Sequence, residues 1–596
     1  MSEENKIEGM GAIVTDEGVA FRVWAPNAHR VAVVGDFNDW HNDNNELFSE
    51  DNGYWYTFIE NAQIGQQYKY YICTGDQELY KIDPYAREVT NSNGNGVIAK
   101  LDFNWSTPDF KIASWNSLVI YELHIGTFFR KNENDVGDFD SVSSHLKYLK
   151  ALGVNCIELM PVAEFPGGQS WGYNPSLPFA IEQDYGGHYA LANLIDKAHS
   201  MGIAVIMDVV FNHFGPSDLD LWRFDGWSEN DGGGIYFYND WKASTPWGST
   251  RPDYGRAEVR RYIRDNALMW LEQFHCDGLR WDATAFIREA DGGLGMENAL
   301  EEGIQMMRDI NIEIQEKYPE KLLIAEDLMN KPFVTNGVDF GGLGFNSQWD
   351  ASFVHPLRKL LSEMQDSDRD LDVLEEILQF KYNDKAFQRV IYVESHDEVA
   401  NGKVRLPEMI QPGEADSAFA KKRAVLGAVL VLTAPGIPML FQGQEFLSDK
   451  FFKDDDGVDW DKFSKFKGIT KFFRDLLQLR TGQDGAAWGL QGENVTIFHK
   501  NNQDKIIAYY RYDSDAVDHG VIVIMNVSNQ KFDNYKLGVP KPGKWINKIN
   551  TSWKGYDWQF GNAQVDDFET FEEVLDNFPQ AASITVPAYS ALIFTR

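Results

Sequence analysis

Four acidic residues follow apolar runs in the same relative place each time: Asp208 after AVIM, Asp282 after GLRW, Glu326 after LLIA and Asp397 after VESH. Any one acid is more often a solvated loop carboxylate than a reacting group. Four at matching positions are different, because runs lying side by side would bring all of them to one mouth. Breaking a glycosidic bond needs two carboxyls, one protonated to donate to the departing oxygen and one ionised to attack the sugar carbon or activate water. A third carboxylate nearby raises the acid's pKa by like-charge repulsion and can hold sugar hydroxyls. Asp282, Glu326 and Asp397 make such a set, and their spacing alone leaves the roles undivided.

Elements of one repeating kind would have to position these acids. From residue 118 to 442, strand-like runs alternate with helical segments: LVIYELHIG precedes the helix-like SVSSHLKYLKALG and then VNCIELMPV, and LANLIDKAHSMG precedes AVIMDVVFNH. DGLRWDA, LLIAEDL, LGFNSQW, RVIYVESHD and IPMLFQG bring the strand candidates to eight. Such alternation implies parallel βαβ units, and eight of them fit a TIM barrel, whose reacting groups sit where the strands end. Residues 11–100 read instead as short alternating strands, VAFRVWA, RVAVVGDF, GYWYTFIE and QQYKYYIC, and the C-terminal stretch returns to that pattern in NVTIFHK, KIIAYYRY and HGVIVIMNV. This suits antiparallel sandwiches. The expected fold class is α/β: a central TIM (β/α)8 barrel over 106–483, an N-terminal β-sandwich over 1–105 and a C-terminal all-β domain over 484–596.

The chain has 596 residues, with 55 Lys and Arg against 90 Asp and Glu, a formal charge of −35 at pH 7. A polyanion is bound by releasing counterions onto a basic patch, so nucleic acid and membrane surfaces are not expected as partners and a neutral ligand is. Aromatics reach 14%; flat amphipathic rings serve sugar-binding surfaces and large cores alike. Cys73, Cys156 and Cys276 are far apart and odd in number, which argues for a reducing compartment. The opening MSEENKIEGM lacks basic and apolar leader regions, and no run of about 18 apolar residues follows, so a cytoplasmic location is expected. No nucleotide loop, redox motif or metal-ligand spacing occurs, so neither cofactor nor metal is expected. The acidic stretch around Asp454 to Asp456 lacks the full pattern of a calcium loop.

DVVFNH (208–213), GLRWDA (278–283), IAED (324–327) and ESHD (394–397) resemble the four ordered motifs of glycoside hydrolase family 13, the α-amylase superfamily. The resemblance implies a retaining mechanism with Asp282 as nucleophile, Glu326 as acid/base and Asp397 as transition-state stabiliser, and it places Asp208 beside the substrate. It also implies that His213 and His396 donate to hydroxyls of the sugar in subsite −1, that Asn212 is structural, and that Tyr173 in SWGYNP forms the platform beneath that sugar. Arg280 would hold the nucleophile ionised, since a fixed cation favours a carboxylate.

FRVWAPNAHRVAVVGDFNDW (21–40) is similar to the carbohydrate-binding module family 48 domain that precedes the barrel in glycogen branching enzymes, isoamylases and trehalohydrolases. GDFNDW, KIDPYA (81–86), SHDEVANGK (395–403), GQEF (443–446) and YKLGVPKPGKWINKINT (535–551) resemble the branching enzymes in particular. That implies an α-glucan substrate and transfer of a cut chain to a 6-hydroxyl. IELMPVAEFPGG (157–168) and DNALMWLEQFHCDGLRWDA (265–283) are at least as similar to maltooligosyltrehalose trehalohydrolase, so a hydrolase using the same acids stays open. Two positions depart from the branching pattern. Asp327 stands where bacterial branching enzymes usually have a second Glu, and Trp281 replaces a small aliphatic residue, where it is expected to fill the barrel interior. Trp40, Trp55 and Tyr56 read as exposed aromatics, fit for holding starch or for packing.

Overall fold

The computed structural model describes residues 6–132, 135–217, 219–293, 297–483, 485–514 and 519–596. Eight parallel strands close a barrel: β1 (Ile120–Leu123), β2 (Cys156–Leu159), β3 (Ala204–Val209), β4 (Gly278–Trp281), β5 (Leu322–Ala325), β6 (Ser347–Trp349), β7 (Arg389–Ile391) and β8 (Ile437–Phe441), with β8 pairing back onto β1. They are the eight runs expected from the sequence. Every residue in them is buried, as in a sheet covered on both faces.

Alternation along each strand sorts the side chains into two environments. Ile120, Cys156, Ile206, Ile324, Val390 and Met439 fill the interior, whereas Leu123, Leu159, Met207, Leu279 and Leu440 face the helices. Trp281 belongs to the second group and not to the interior expected for it. It follows Arg280 by one residue, so it emerges on the opposite face, where its ring meets Phe211 at 4.9 Å and Phe345 at 5.8 Å.

The helix Phe139–Leu152 shows how the sequence encodes the outer layer. Phe139, Val142, Leu146 and Leu149 recur at helical spacing and are buried. The Asp138 carboxylate accepts from the Ser141 N–H at 2.6 Å to cap the start, and Gly153 at φ 110° ends the helix. Further helices span Gly187–Ser200, Ala257–Glu272, Glu301–Lys317, Ala351–Ser362 and Ala418–Thr433. The β5–β6 connection departs from this alternation. Its described elements are the short turns Pro332–Val334 and Val338–Phe340, because NKPFVTNGVDFGGLGFN carries Pro and Gly at turn spacing and no apolar helical period.

Two antiparallel sheets precede the barrel, one containing Gly18–Trp24 and Tyr54–Ile59, the other Arg30–Gly35 and Gln67–Thr74. Trp55 and Tyr56 are 9% and 2% exposed, so of the two purposes open to them they serve packing, and their exposure is lower than the sequence suggests. Trp55 donates to the Ala25 carbonyl, while Arg22 lies 4.7 Å over the Tyr56 ring and Ile7 N–H donates to its hydroxyl. Trp40 is partly buried against Ala32, Val34 and Tyr71, its indole donating to Asp36 at 3.0 Å.

This sandwich is fastened to the long segment that follows β3. Asn27 donates through its backbone and its side chain to Asp225, at 2.9 and 2.8 Å, and Ile82 N–H donates to Asp220 at 2.7 Å. Lys81 reaches the Trp222 carbonyl at 3.0 Å, and Trp24 meets Tyr236 edge-on at 5.7 Å. Beyond the barrel, a six-stranded and a three-stranded antiparallel sheet enclose Tyr510, Ile524, Trp545 and Ile584. Cys73, Cys156 and Cys276 are free and buried. Among the described residues no helix is long and apolar enough to cross a membrane.

Candidate active site

Consecutive strand ends deliver one charged cluster around Arg280. Register pairs Asp208 on β3 with Arg280 on β4. The fully buried guanidinium then places Nη1 at 2.9 and 2.8 Å from the two Asp208 oxygens and 2.9 Å from Asp282 Oδ1, and Nη2 at 3.0 Å from Glu326 Oε2. Trp349, the last residue of β6, lies 4.3 Å from that guanidinium across its ring face. One cation thus meets three carboxyl groups, a grouping whose desolvation is expensive.

The backbone turns sharply after Asp282. Ala283 takes φ 41°, a left-handed conformation that costs roughly 1–3 kcal/mol for a residue with a Cβ. Its N–H donates to Glu326 Oε2 at 2.8 Å, so the strained residue links the two acids. Burial is the largest influence on both. It raises Asp282 to about 6 against the pull of Arg280, and Glu326 to about 7 against Arg280 and with the charges of Asp282 and Asp397 adding. Burial likewise raises Asp208 to about 6. Arg280 therefore moderates the nucleophile candidate without restoring an ordinary aspartate value.

Glu122, on β1, grips His396. It accepts the His396 backbone N–H at 3.1 Å through one oxygen and bonds Nδ1 through the other. Burial pulls His396 down, but the charge and hydrogen bond of Glu122 outweigh it and push the imidazole up to about 9. Asp397, next in the chain and half-buried, opens the turn Asp397–Val399, and its charge raises both Glu326 and His396. The Tyr173 hydroxyl donates to Asp208 at 2.5 Å, its ring stacks on His396 at 4.9 Å and 25°, and the Arg280 guanidinium lies 5.7 Å from the ring centre. His213, 3% exposed, is kept neutral by burial, its pKa lowered to about 4, and it stacks on Trp247 at 4.9 Å and 11°. Its neighbour Asn212, expected to be structural, is fully buried with no hydrogen-bond partner for either amide atom.

Three residues of this site escape a reading of strand ends. Glu158 on β2 pairs in register with Glu122, is fully buried, and has no partner for either oxygen. Burial first, then the Glu122 charge, pushes it well above the usual carboxylate range. A lone acid inside each of the apolar strands IYEL and CIEL was the available signal. Trp247, half-exposed, sits in a tight turn closed by Thr245 and Gly248, its ring edge-on to Phe286 at 5.1 Å. Nothing in its local sequence marks it.

The departures noted in the sequence resolve into packing. Asp327 takes both Nε and Nη2 of Arg288, each at 2.9 Å, in a buried ion pair. In the acidic stretch, Arg130 donates to the carbonyls of Asp454 and Asp455, each at 2.7 Å. Among the described residues no group of three or more His, Cys, Asp or Glu is placed to hold a metal ion.

Three family descriptions match the chain in order: Carbohydrate-binding module 48 (Isoamylase N-terminal domain) over residues 9–86, Alpha amylase, catalytic domain over 91–222, and Alpha amylase, C-terminal all-beta domain over 497–596. A 1,4-alpha-glucan branching enzyme GlgB of Oceanobacillus iheyensis is 31% identical over 608 residues, covering 97% of this chain and 93% of its own. The GlgB of Corynebacterium diphtheriae is also 31% identical, covering 97% and 80%, and that of Bacillus anthracis 29%, covering 99% and 92%. Among solved structures, a pullulanase from Anoxybacillus sp. LM18-11 complexed with maltotetraose superposes with a TM-score of 0.77 at 21% identity, over 99% of this chain and 88% of that one. A type I pullulanase from Bacillus subtilis complexed with maltose gives 0.76 at 22%, over 100% and 86%. At such identities the likeness is one of fold.

Proposed function

This chain belongs to the α-amylase superfamily, glycoside hydrolase family 13, and from that premise we propose that it is a 1,4-α-glucan branching enzyme working through a covalent glycosyl-aspartate. The observation that carries the reading is the Arg280 clamp on Asp282 and Glu326, in a chain whose relatives at 31% identity over nearly its full length are branching enzymes. Carboxyls held by one guanidinium stand close together. This is compatible with the retaining route that the family resemblance implies, in which the two carboxyls act on one sugar carbon from opposite sides.

In the first step Asp282 attacks the anomeric carbon of a glucosyl unit while Glu326 protonates the departing 4-oxygen, and the cut chain stays on Asp282 as an ester. In the second step Glu326 takes the proton of an acceptor 6-hydroxyl, whose oxygen displaces Asp282. Two inversions give net retention and an α-1,6 link. Asp397 balances positive charge developing on the sugar ring, Tyr173 packs beneath that ring, His213 and His396 hold its hydroxyls, and Asp208, paired with Arg280, borders it. With water as acceptor the same steps describe a hydrolase.

Amylose incubated with the protein separates the two outcomes. Loss of iodine colour without new reducing ends, followed by their release on enzymatic debranching, is the result expected. Colour loss with a parallel rise in reducing ends would make the chain a hydrolase instead.

The raised acids also predict a narrow pH optimum. Activity should rise through about pH 6 as Asp282 ionises and fall through about pH 7 as Glu326 loses its proton. The two groups share Arg280, so the limbs belong to the pair. A flat kcat/KM between pH 5 and 9 would contradict the assignment.

A further inference from the structure

A groove of about 950 Å³ runs between the C-terminal sheet and the helix Lys467–Arg480, and none of its lining residues belongs to the candidate active site. Its volume is at the upper end of the roughly 300–1,000 Å³ typical of ligand pockets. We propose that this groove is a second α-glucan-binding site, which holds a polysaccharide chain without cutting it. The inference rests on the α-glucan reading above and adds a location to it.

Charge narrows the ligand class first. The lining carries Lys471, Lys544 and Lys548 against Asp475, Asp566, Asp567 and Glu569. Lys471 pairs with Asp475, and Lys544 with Asp567 at 3.1 Å. A near-balanced surface of this kind suits neither a phosphorylated ligand nor a free cation, whereas neutral hydroxyls can both donate to its carboxylates and accept from its ammonium and amide groups. The floor is held in shape before any ligand arrives. It is the strand Lys544–Asn550, where Asn547 and Asn550 donate their side-chain N–H groups to the carbonyls of Val565 and Ala563, each at 2.8 Å.

The wall supplies apolar faces. The loop 551–562 closes on itself through Asn562 N–H to the Ser552 carbonyl at 2.9 Å, and it presents two indoles, Trp553 at 42% and Trp558 at 81% exposure. Trp553 lines the groove. A Cβ at Gly555 would fall 2.4 Å from its ring, so glycine is what lets the indole lie against the loop backbone, and Tyr556 braces it edge-on at 5.0 Å. Single exposed tryptophans are unremarkable on a surface. Trp553 on the groove wall, with the Lys471 ammonium 5.3 Å over its ring, and the more exposed Trp558 on the same loop just outside the lining match what a glucan offers, C–H faces for the rings and hydroxyls for the amides, ammonium and acids. A chain tethered there raises the local concentration of glucan at the cleft.

Native electrophoresis of the full chain through gels containing amylopectin tests the site. Trp553→Ala with Trp558→Ala should weaken polymer retardation by about fivefold or more, while turnover of a maltooligosaccharide too short to reach both sites stays within about twofold of the parent. The paired Phe replacements should keep most of the retardation. Retardation of the Ala variant equal to the parent's would overturn the second site and leave the enzymatic reading standing. Parallel loss of polymer binding and short-substrate turnover would also overturn it, because the indoles would then support the fold. A parent chain that neither binds amylopectin nor alters amylose would remove both readings.

Discussion

Asp282→Asn should abolish amylose turnover, by on the order of 10⁴-fold or more, because an amide of the same shape cannot form the glycosyl ester. The fold should survive. Arg280 keeps both Asp208 oxygens and Glu326 as partners, so no buried cation is left alone. Stability provides a second readout with a definite sign. Burial raises Asp282 to about 6 in the folded chain, above the roughly 3.9 of an unfolded aspartate. Its contribution is therefore fully present below about pH 4 and is lost as the pH rises through 6. At pH 8 the Asn variant should melt no lower than the parent, and the difference should shift in the parent's favour as the pH falls toward 4. A variant with parental turnover would remove Asp282 from the nucleophile's role.

Glu326→Gln should lower kcat by about 10²–10⁴-fold with glucan binding retained, since it removes proton transfer and keeps shape. The effect should depend on the leaving group. A glycosyl fluoride departs without protonation, so its first step should recover much of the parental rate, whereas amylose should not. The alkaline limb near pH 7 should vanish from whatever activity remains. Equal losses on fluoride and amylose would mean that Glu326 shapes the cleft and does not donate the proton.

The barrel and the acid cluster were legible in the sequence for one reason. Each strand is a short apolar run, and its terminal acid emerges at the same rim, so Asp208, Asp282 and Glu326 were bound to converge once the runs closed into a ring. Arg280 came with the family resemblance of GLRWDA, and its place two residues before Asp282 puts both on one face of β4. What escaped depends on contacts between distant segments. Glu122 and Glu158 sit inside apolar strands, and only the barrel register shows that they adjoin each other and that Glu122 holds His396. Trp247 reaches His213 across a long excursion from β3 that has no periodicity to follow. Trp281 faces the helices and not the interior its bulk suggests, and its position next to inward-facing Arg280 requires that outer face. Trp55 and Tyr56 alternate along a strand that reads as half-exposed; Trp55 is buried in the sandwich core, and Tyr56 is covered from the other face by Arg22 and the segment at Ile7, which no local pattern reveals.

The ties from Asn27, Lys81 and Ile82 to the segment carrying Asp220, Trp222 and Asp225 bear on how chains of this kind are inherited. A sandwich fastened in this way is not a bead to be exchanged on a string. Its recognition partners lie within the barrel's own sequence, downstream of β3, so a recombination event that replaced the first hundred residues alone would bring in a stranger to that segment. The heritable unit crosses the apparent domain boundary, and the sandwich and the excursion after β3 are expected to change together over evolutionary time.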